Sequence, residues 1–136
     1  MSTRCQVRVQ DEHEAITLYH HCDGYPDNML PLIASAHEKY NTSFRSGRAG
    51  HSASFLCAAD PEGFEVEEGH ELHGDIEWYY RVAVLETPDR QRGLWNVTVY
   101  RPSENGTPDD PGQIVLETMA VAQAAERAAD FENAAE

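Results

Sequence analysis

The sequence predicts a single α+β domain spanning residues 1–136. A mostly antiparallel sheet of about four to five strands carries two to three helices packed on one face. Three observations lead there. Residues 4–22 hold two alternating segments split by a polar cluster, which reads as an antiparallel hairpin. Residues 75–101 repeat the arrangement with longer alternations around Pro88-Asp89-Arg90-Gln91-Arg92-Gly93. Helical spacing occurs between the two hairpins and again after the second. The chain has 136 residues, and a chain of that size can bury about two-thirds of its surface without metal or disulfide support.

Each element follows from its pattern. In the first strand Cys5, Val7 and Val9 share one face, and Arg4, Arg8 and Gln10 the other. Asp11-Glu12-His13-Glu14 is the connection. In the second strand Ile16, Leu18, His20 and Cys22 oppose Thr17, Tyr19 and His21. Asp23-Gly24-Tyr25-Pro26-Asp27-Asn28 is a turn, with Asn28 as cap of the helix that follows and Pro31 in its first turn. Leu30, Ile33, His37 and Tyr40 form one stripe of that helix, which ends near Tyr40. Residues 41–54 read as a polar loop, and a short helix begins near Ser52; a buried strand is the alternative for 52–59. Residues 64–67 suit a short strand. From Asp75 to Glu86, Ile76, Trp78, Tyr80, Val82 and Val84 alternate onto one face. The strand from Leu94 to Arg101 points Trp95, Val97 and Val99 inward. Asp110-Pro111-Gly112-Gln113 has a capping Asp, a Pro at the first helical position and a Gln three residues after the cap. It predicts a final Ala-rich helix over about 111–130, with a frayed tail at 131–136.

Charge narrows the function classes. Twenty-four acidic residues face ten basic ones, for a formal net charge of −14. Such a chain is repelled by nucleic acid and by anionic membranes, so no direct nucleic-acid partner and no membrane partner are expected. No apolar run approaches the ~20 residues of a membrane-spanning helix. The N-terminal MSTRCQVRVQ lacks a signal peptide's apolar stretch, which predicts a cytoplasmic protein. Cys5, Cys22 and Cys57 are odd in number and form no CxxC pair, so all three read as buried small hydrophobes.

Two segments stand out as motifs: His20-His21-Cys22-Asp23-Gly24-Tyr25-Pro26, and Leu72-His73-Gly74-Asp75-Ile76-Glu77-Trp78. Together they resemble a loosely defined, uncharacterised family of small phage and prophage proteins. Those carry a hairpin ending in DGYP, a helix, and a later HGDIEY-like strand. Trp78 stands where that family more often has Tyr, and the resemblance covers roughly residues 5–85. It implies a viral or mobile-element setting, hence a host cytoplasm, and carries over no catalytic residue.

Four constellations could carry chemistry. Arg45-Ser46-Gly47-Arg48-Ala49-Gly50-His51-Ser52 combines guanidiniums, glycines and hydroxyls ahead of a helix start, as phosphate binding requires. His20, His21 and Asp23, joined in space to His70, His73 and Asp75, could ligate zinc or another transition metal. Asp60 to Glu77 holds eight carboxylates and no Lys or Arg, which suits a solvated edge or a basic partner. Among the aromatics, Tyr25 and Tyr79 are candidates to stack on a base.

These expectations combine into a non-catalytic binding protein without cofactor. It sequesters a phosphate-bearing small molecule or nucleotide signal used in host defence. Arg45, Ser46, Gly47, Arg48, Gly50, His51 and Ser52 hold the phosphate, with Asp23, Tyr25 and Tyr79 beside them. A homo-oligomer is expected, packed through the final helix. The alternatives are an acidic inhibitor of a host protein, perhaps a DNA mimic, and a metal-dependent hydrolase using His70, His73 and Asp75.

Overall fold

Both hairpins form where the alternation places them, and a parallel contact between them makes one sheet. The computed structural model describes residues 3–41, 48–86 and 93–131. In chain order the strands are β1 (Arg4–Gln10), β2 (Ala15–His20), β3 (Phe64–Val66), β4 (Ile76–Glu86), β5 (Gly93–Pro102) and β6 (Gly112–Ala120). The helices are α1 (Pro26–Asn41), α2 (Ala49–Ala59) and α3 (Val121–Glu126), followed by a 3₁₀ turn at Ala128–Phe131. The fold is α+β, with six strands in the order β3-β2-β1-β4-β5-β6. Every neighbouring pair is antiparallel except β1 and β4, which run parallel.

Cys5, Val7, Val9, Leu18, Trp78, Tyr80, Val82, Trp95, Val97 and Val99 line one face of the sheet as a continuous core. Helix α1 seals it with Met29, Leu30, Ile33, Ala36 and Tyr40, one residue per turn and its neighbours. The Tyr40 ring lies 5.2 Å from Trp95 and 5.6 Å from Phe55, which ties α1 to β5 and to α2.

The DGYP segment is the joint between β2 and α1. Asp23 takes a left-handed φ of 52°. Gly24 passes so close to β1 that a Cβ there would meet Cys5 Cβ at 2.9 Å and the Thr3 carbonyl oxygen at 3.0 Å. Pro26 opens the helix, where its missing N–H costs nothing. Asn28 is not the cap: it lies in the first turn, and its Nδ2 donates back to the Asp23 carbonyl at 2.7 Å. The Tyr80 hydroxyl donates to the Gly24 carbonyl at 2.6 Å, which ties the DGYP segment to β4 just beyond the second motif. Burial pushes that hydroxyl well above the ordinary tyrosine range.

Three expectations change. The helix expected over 111–130 is a strand through Ala120, and only Val121–Glu126 is α-helical. The Asp-Pro-Gly-Gln signature is a local preference of about 1 kcal/mol. Against it stand the β-branched Ile114, Val115 and Thr118 and a ready ladder partner in β5, with Val97 opposite Met119 and Val99 opposite Leu116. Gly112 fits that strand start because a Cβ would meet the Arg101 carbonyl oxygen at 2.1 Å. Next, Ile76 does not share a face with Trp78 and Tyr80. A register shift sets Arg4 opposite Ile76 but Cys5 opposite Trp78, and turns Ile76 to the other side. Finally, Cys5 is buried but Cys22 is exposed and Cys57 only partly covered.

Replacing Tyr80 with Phe leaves the Gly24 carbonyl buried without its donor. The expected loss is about 1–3 kcal/mol of unfolding free energy at an unchanged m-value, read by urea denaturation.

Candidate functional site

The phosphate loop expected from the sequence meets carboxylates supplied by the protein itself. Helix α2 starts at Ala49, earlier than Ser52, because the β1–β2 turn reaches its N-terminus. Asp11 Oδ2 accepts the Ala49 N–H at 2.7 Å, and Glu14 Oε2 accepts the Gly50 N–H at 2.9 Å. Glu14 Oε1 also lies 3.8 Å from Arg48 Nη2. These carboxylates answer the helix-end donors and the positive end of the dipole. Ser52 is fully buried, and the His51 ring packs edge-on to Tyr40 and Phe55. Arg48, Gly50, His51 and Ser52 therefore do not form an open anion cradle. Arg45, Ser46 and Gly47 lie outside the described residues.

Asp11 has a second task. Its Oδ1 accepts the N–H groups of His13 at 2.6 Å and Glu14 at 2.8 Å, an Asx-type turn. Partial burial pushes its carboxyl up, but hydrogen bonds from the Ala49, His13 and Glu14 backbones outweigh this and hold it below the usual Asp value.

The metal candidates separate. His70 Nδ1 shares a hydrogen bond with Thr17 Oγ1 at 2.7 Å. His73 pairs with Glu67. Asp75 accepts the Tyr19 hydroxyl at 2.7 Å and lies 3.6 Å from Arg4 Nε. His20 is buried against Phe64 with Nε2 2.7 Å from Asp60, whereas His21 faces Glu65 at 3.0 Å on the other side. Among the described residues no three His, Cys, Asp or Glu side chains converge as a metal site. Asp23 serves through its backbone, Tyr25 packs against the core, and Tyr79 is fully buried, so Tyr79 cannot stack on a ligand.

What the structure does assemble lies on the sheet face away from the helices. Its upper half is covered. The segment 67–75 crosses it like a strap, fastened by the buried Gln6, which donates to the Glu71 carbonyl and accepts from the His73 N–H, each at 3.1 Å. Beneath it Tyr19, Ile76, Tyr79 and Tyr100 form a small second core with Leu72. Burial, then the hydrogen bond to Asp75, pushes the Tyr19 hydroxyl up to about 12.

Below the strap the register lays a polar row across the sheet: Thr17, Arg8, Arg81 and Thr98 face one another on β2, β1, β4 and β5. Thr98 then shares a 2.5 Å hydrogen bond with Thr118 on β6. Arg8 and Arg81 are direct cross-strand neighbours. Arg81 donates to the Tyr100 hydroxyl at 2.8 Å and to the Pro108 carbonyl at 2.5 Å. Among the described residues neither arginine forms an ion pair with a carboxylate. The Nε–H of each is buried without an acceptor, and the Tyr79 hydroxyl between them makes no hydrogen bond of good geometry. Burial pushes that hydroxyl above its ordinary value, and the two guanidiniums pull it back. Arg8 also lines a cleft of about 400 Å³ with Gln10, Asp11, Glu12, His13, Glu14 and His70, none of whose carboxylates comes within ion-pair distance of it.

Reasoning from the sequence put Arg8 on a polar strand face but found no significance in it. The signal is the parallel pairing of β1 with β4, which no local pattern encodes. Comparison with protein-family models, with curated proteins and with solved structures finds no match for this chain.

Replacing Asp11 with Ala removes the acceptor for the Ala49 N–H and opens the Asx turn. The expected cost at neutral pH is about 1–2 kcal/mol. Because the folded carboxyl titrates below its unfolded value of about 3.9, this stabilisation is complete above that pH. It disappears as pH falls through the lowered folded value, so wild type and variant should converge in acid. Denaturation followed from pH 7 to pH 2 checks both statements.

Proposed function

We propose that the protein is a non-catalytic binder of a phosphate-bearing small molecule, held on the back face of the sheet by Arg8 and Arg81. One observation carries the reading. In a chain with 24 acidic and ten basic residues, two adjacent arginines form no ion pair among the described residues. Like charges side by side in a sheet destabilise it by a few tenths of a kcal/mol or more. A bound phosphate offsets that repulsion and offers acceptors to a pair of planar forks. Thr17, Thr98 and Thr118 extend the polar row on either side. The reading keeps the ligand class expected from the sequence and moves it from the Arg45–Ser52 loop to the sheet. Capture of a host defence signal in the cytoplasm rests on the phage-family resemblance of the DGYP and HGDIE segments alone.

Titration calorimetry with ribose 5-phosphate at low salt tests the assignment. Binding should weaken at least tenfold in Arg8→Gln and stay unchanged in Arg48→Ala; the loop reading requires the reverse. Arg8→Gln should also leave the unliganded protein as stable as wild type or up to about 0.5 kcal/mol more stable, since it removes a repulsion. A protein that ignores ribose 5-phosphate and loses stability in Arg8→Gln would sink the proposal.

A second reading has its own observation. Val66 on the edge strand β3 is 61% exposed, beside a cleft of about 460 Å³ lined by Glu65, Glu67, Glu68, Glu71 and His73. An apolar anchor ringed by carboxylates suits a basic protein partner, as an acidic inhibitor would need. Such association should fall steeply with added salt, and Arg8→Gln should not affect it.

A further inference from the structure

The back face does not end at the arginines. One row further along the strands, Gln10, Ala83 and Asn96 face one another on β1, β4 and β5, with Ala15 and Ala120 at the flanks. All five are only partly buried. The next row is Leu85 opposite Leu94, whose side chains are 42% and 43% exposed. Strand alternation puts both on the face opposite Val84 and Trp95, which are in the core. The strap that covers the upper half is fastened at Gln6, Thr17 and Tyr19, and its His70 shares a cleft with Gln10 and Ala15 at the edge of this row.

This floor is flat, apolar in its middle, and edged by two amides. Small side chains at Ala83 and Ala120 keep it level, and Leu85 with Leu94 supplies apolar surface. Gln10 and Asn96 each present a donor and an acceptor. The floor adjoins the Arg8 and Arg81 guanidiniums, one row away, at a distance of about 7 Å along the strand. A ribose bridges a comparable span between a phosphate and a base.

We propose that the ligand is a nucleotide. Its phosphate lies on Arg8 and Arg81, and its base lies flat on Ala83, Leu85 and Leu94, its edge read by Gln10 and Asn96. The inference rests on the anion reading above and adds the chemical class of what the anion is attached to. Charge complementarity selects this occupant. A second copy of this acidic chain would offer carboxylates to the guanidiniums but no phosphate, and light scattering distinguishes that occupant. A free inorganic anion would leave the floor unused. The flat face of a base is apolar, its rim carries hydrogen-bonding groups, and a mostly apolar surface with a few placed polar groups is what a small-molecule site offers.

The test is a set of calorimetric titrations with AMP, GMP, CMP, UMP, adenosine and ribose 5-phosphate, on wild type and on the double variant Leu85→Ala/Leu94→Ala. Both leucines are exposed, so the variant should fold, which its thermal transition verifies. At least one nucleotide should bind wild type about tenfold or more tightly than ribose 5-phosphate, and the double variant should lose that increment while still binding ribose 5-phosphate. Asn96→Ala should change the ranking among the four nucleotides. Equal affinity for nucleotides and ribose 5-phosphate would overturn the base assignment and leave the anion reading standing. If no phosphate-bearing probe binds, both fall. Light scattering on the same samples provides the remaining outcome: a wild-type dimer that Leu85→Ala/Leu94→Ala dissociates, without any nucleotide preference, would make this floor an interface between copies and overturn the proposal.

Discussion

The amide of Gln6 decides which half of the sheet's back face is open. Strand β1 is central, and its Cys5, Val7 and Val9 are fully buried against the helices. Its opposite side at Gln6 is fully buried too, where an unsatisfied amide would cost about 1–3 kcal/mol for each group left without a partner. The side chain resolves this by acting as a strand: it donates to the Glu71 carbonyl and accepts from the His73 N–H. That pair of bonds fixes the strap, the strap brings Leu72 onto Tyr19, Ile76, Tyr79 and Tyr100, and this second core fills the upper half. The lower half keeps its polar row, held at its ends by the Thr17–His70 and Arg81–Pro108 hydrogen bonds, and beyond it the floor of small and apolar side chains. The segments 20–26 and 72–78 lie at the ends of this system. Asp75 anchors the strap through Tyr19, and Gly24 receives the hydroxyl of Tyr80 across the same central strand.

Charge is distributed with the same economy. The chain places its own carboxylates where a foreign anion would otherwise bind, at the start of α2. A local cluster of Arg, Gly and Ser is thus a structural contact between a hairpin turn and a helix. Two other arginines are left unneutralised on the sheet, each with a buried donor lacking an acceptor. Unpaired buried donors are uncommon in folded proteins and mark places where stability is given up for something else. The contrast between a satisfied loop and an unsatisfied sheet face moves the functional reading from one to the other.

The sequence made some of this legible. Period-two alternation located β1, β2, β4 and β5, because those strands bury one apolar face whatever they pair with. The stripe Leu30, Ile33, His37 and Tyr40 located α1 for the same reason. The strand at Gly112–Ala120 was hidden: its first residues imitate a helix start, and only the exposed edge of β5 makes a strand the better outcome. The face of Ile76 was hidden by a single register shift. The site was hidden more thoroughly. Arg8 and Arg81 lie in different hairpins, and their adjacency exists only because β1 and β4 run parallel, a contact with no local signature. Asp11 and Glu14 read as turn residues, and nothing nearby in the chain says that they cap a helix whose start lies more than thirty positions on.

The parallel seam between β1 and β4 also has a kinetic meaning. Each hairpin closes a short loop and can form on a scale of about 1–10 μs. Joining them requires Arg4 to reach Ile76, across two helices and an edge strand, and a closure of that length is slow because its entropy must be lost before any contact compensates for it. The last step of assembly therefore brings two pre-formed ribbons together edge to edge, with a guanidinium on each approaching the other. Dissolved anions that screen or bridge this encounter should lower its barrier, so the molecule's rate of folding should depend on the concentration and charge of the anions around it.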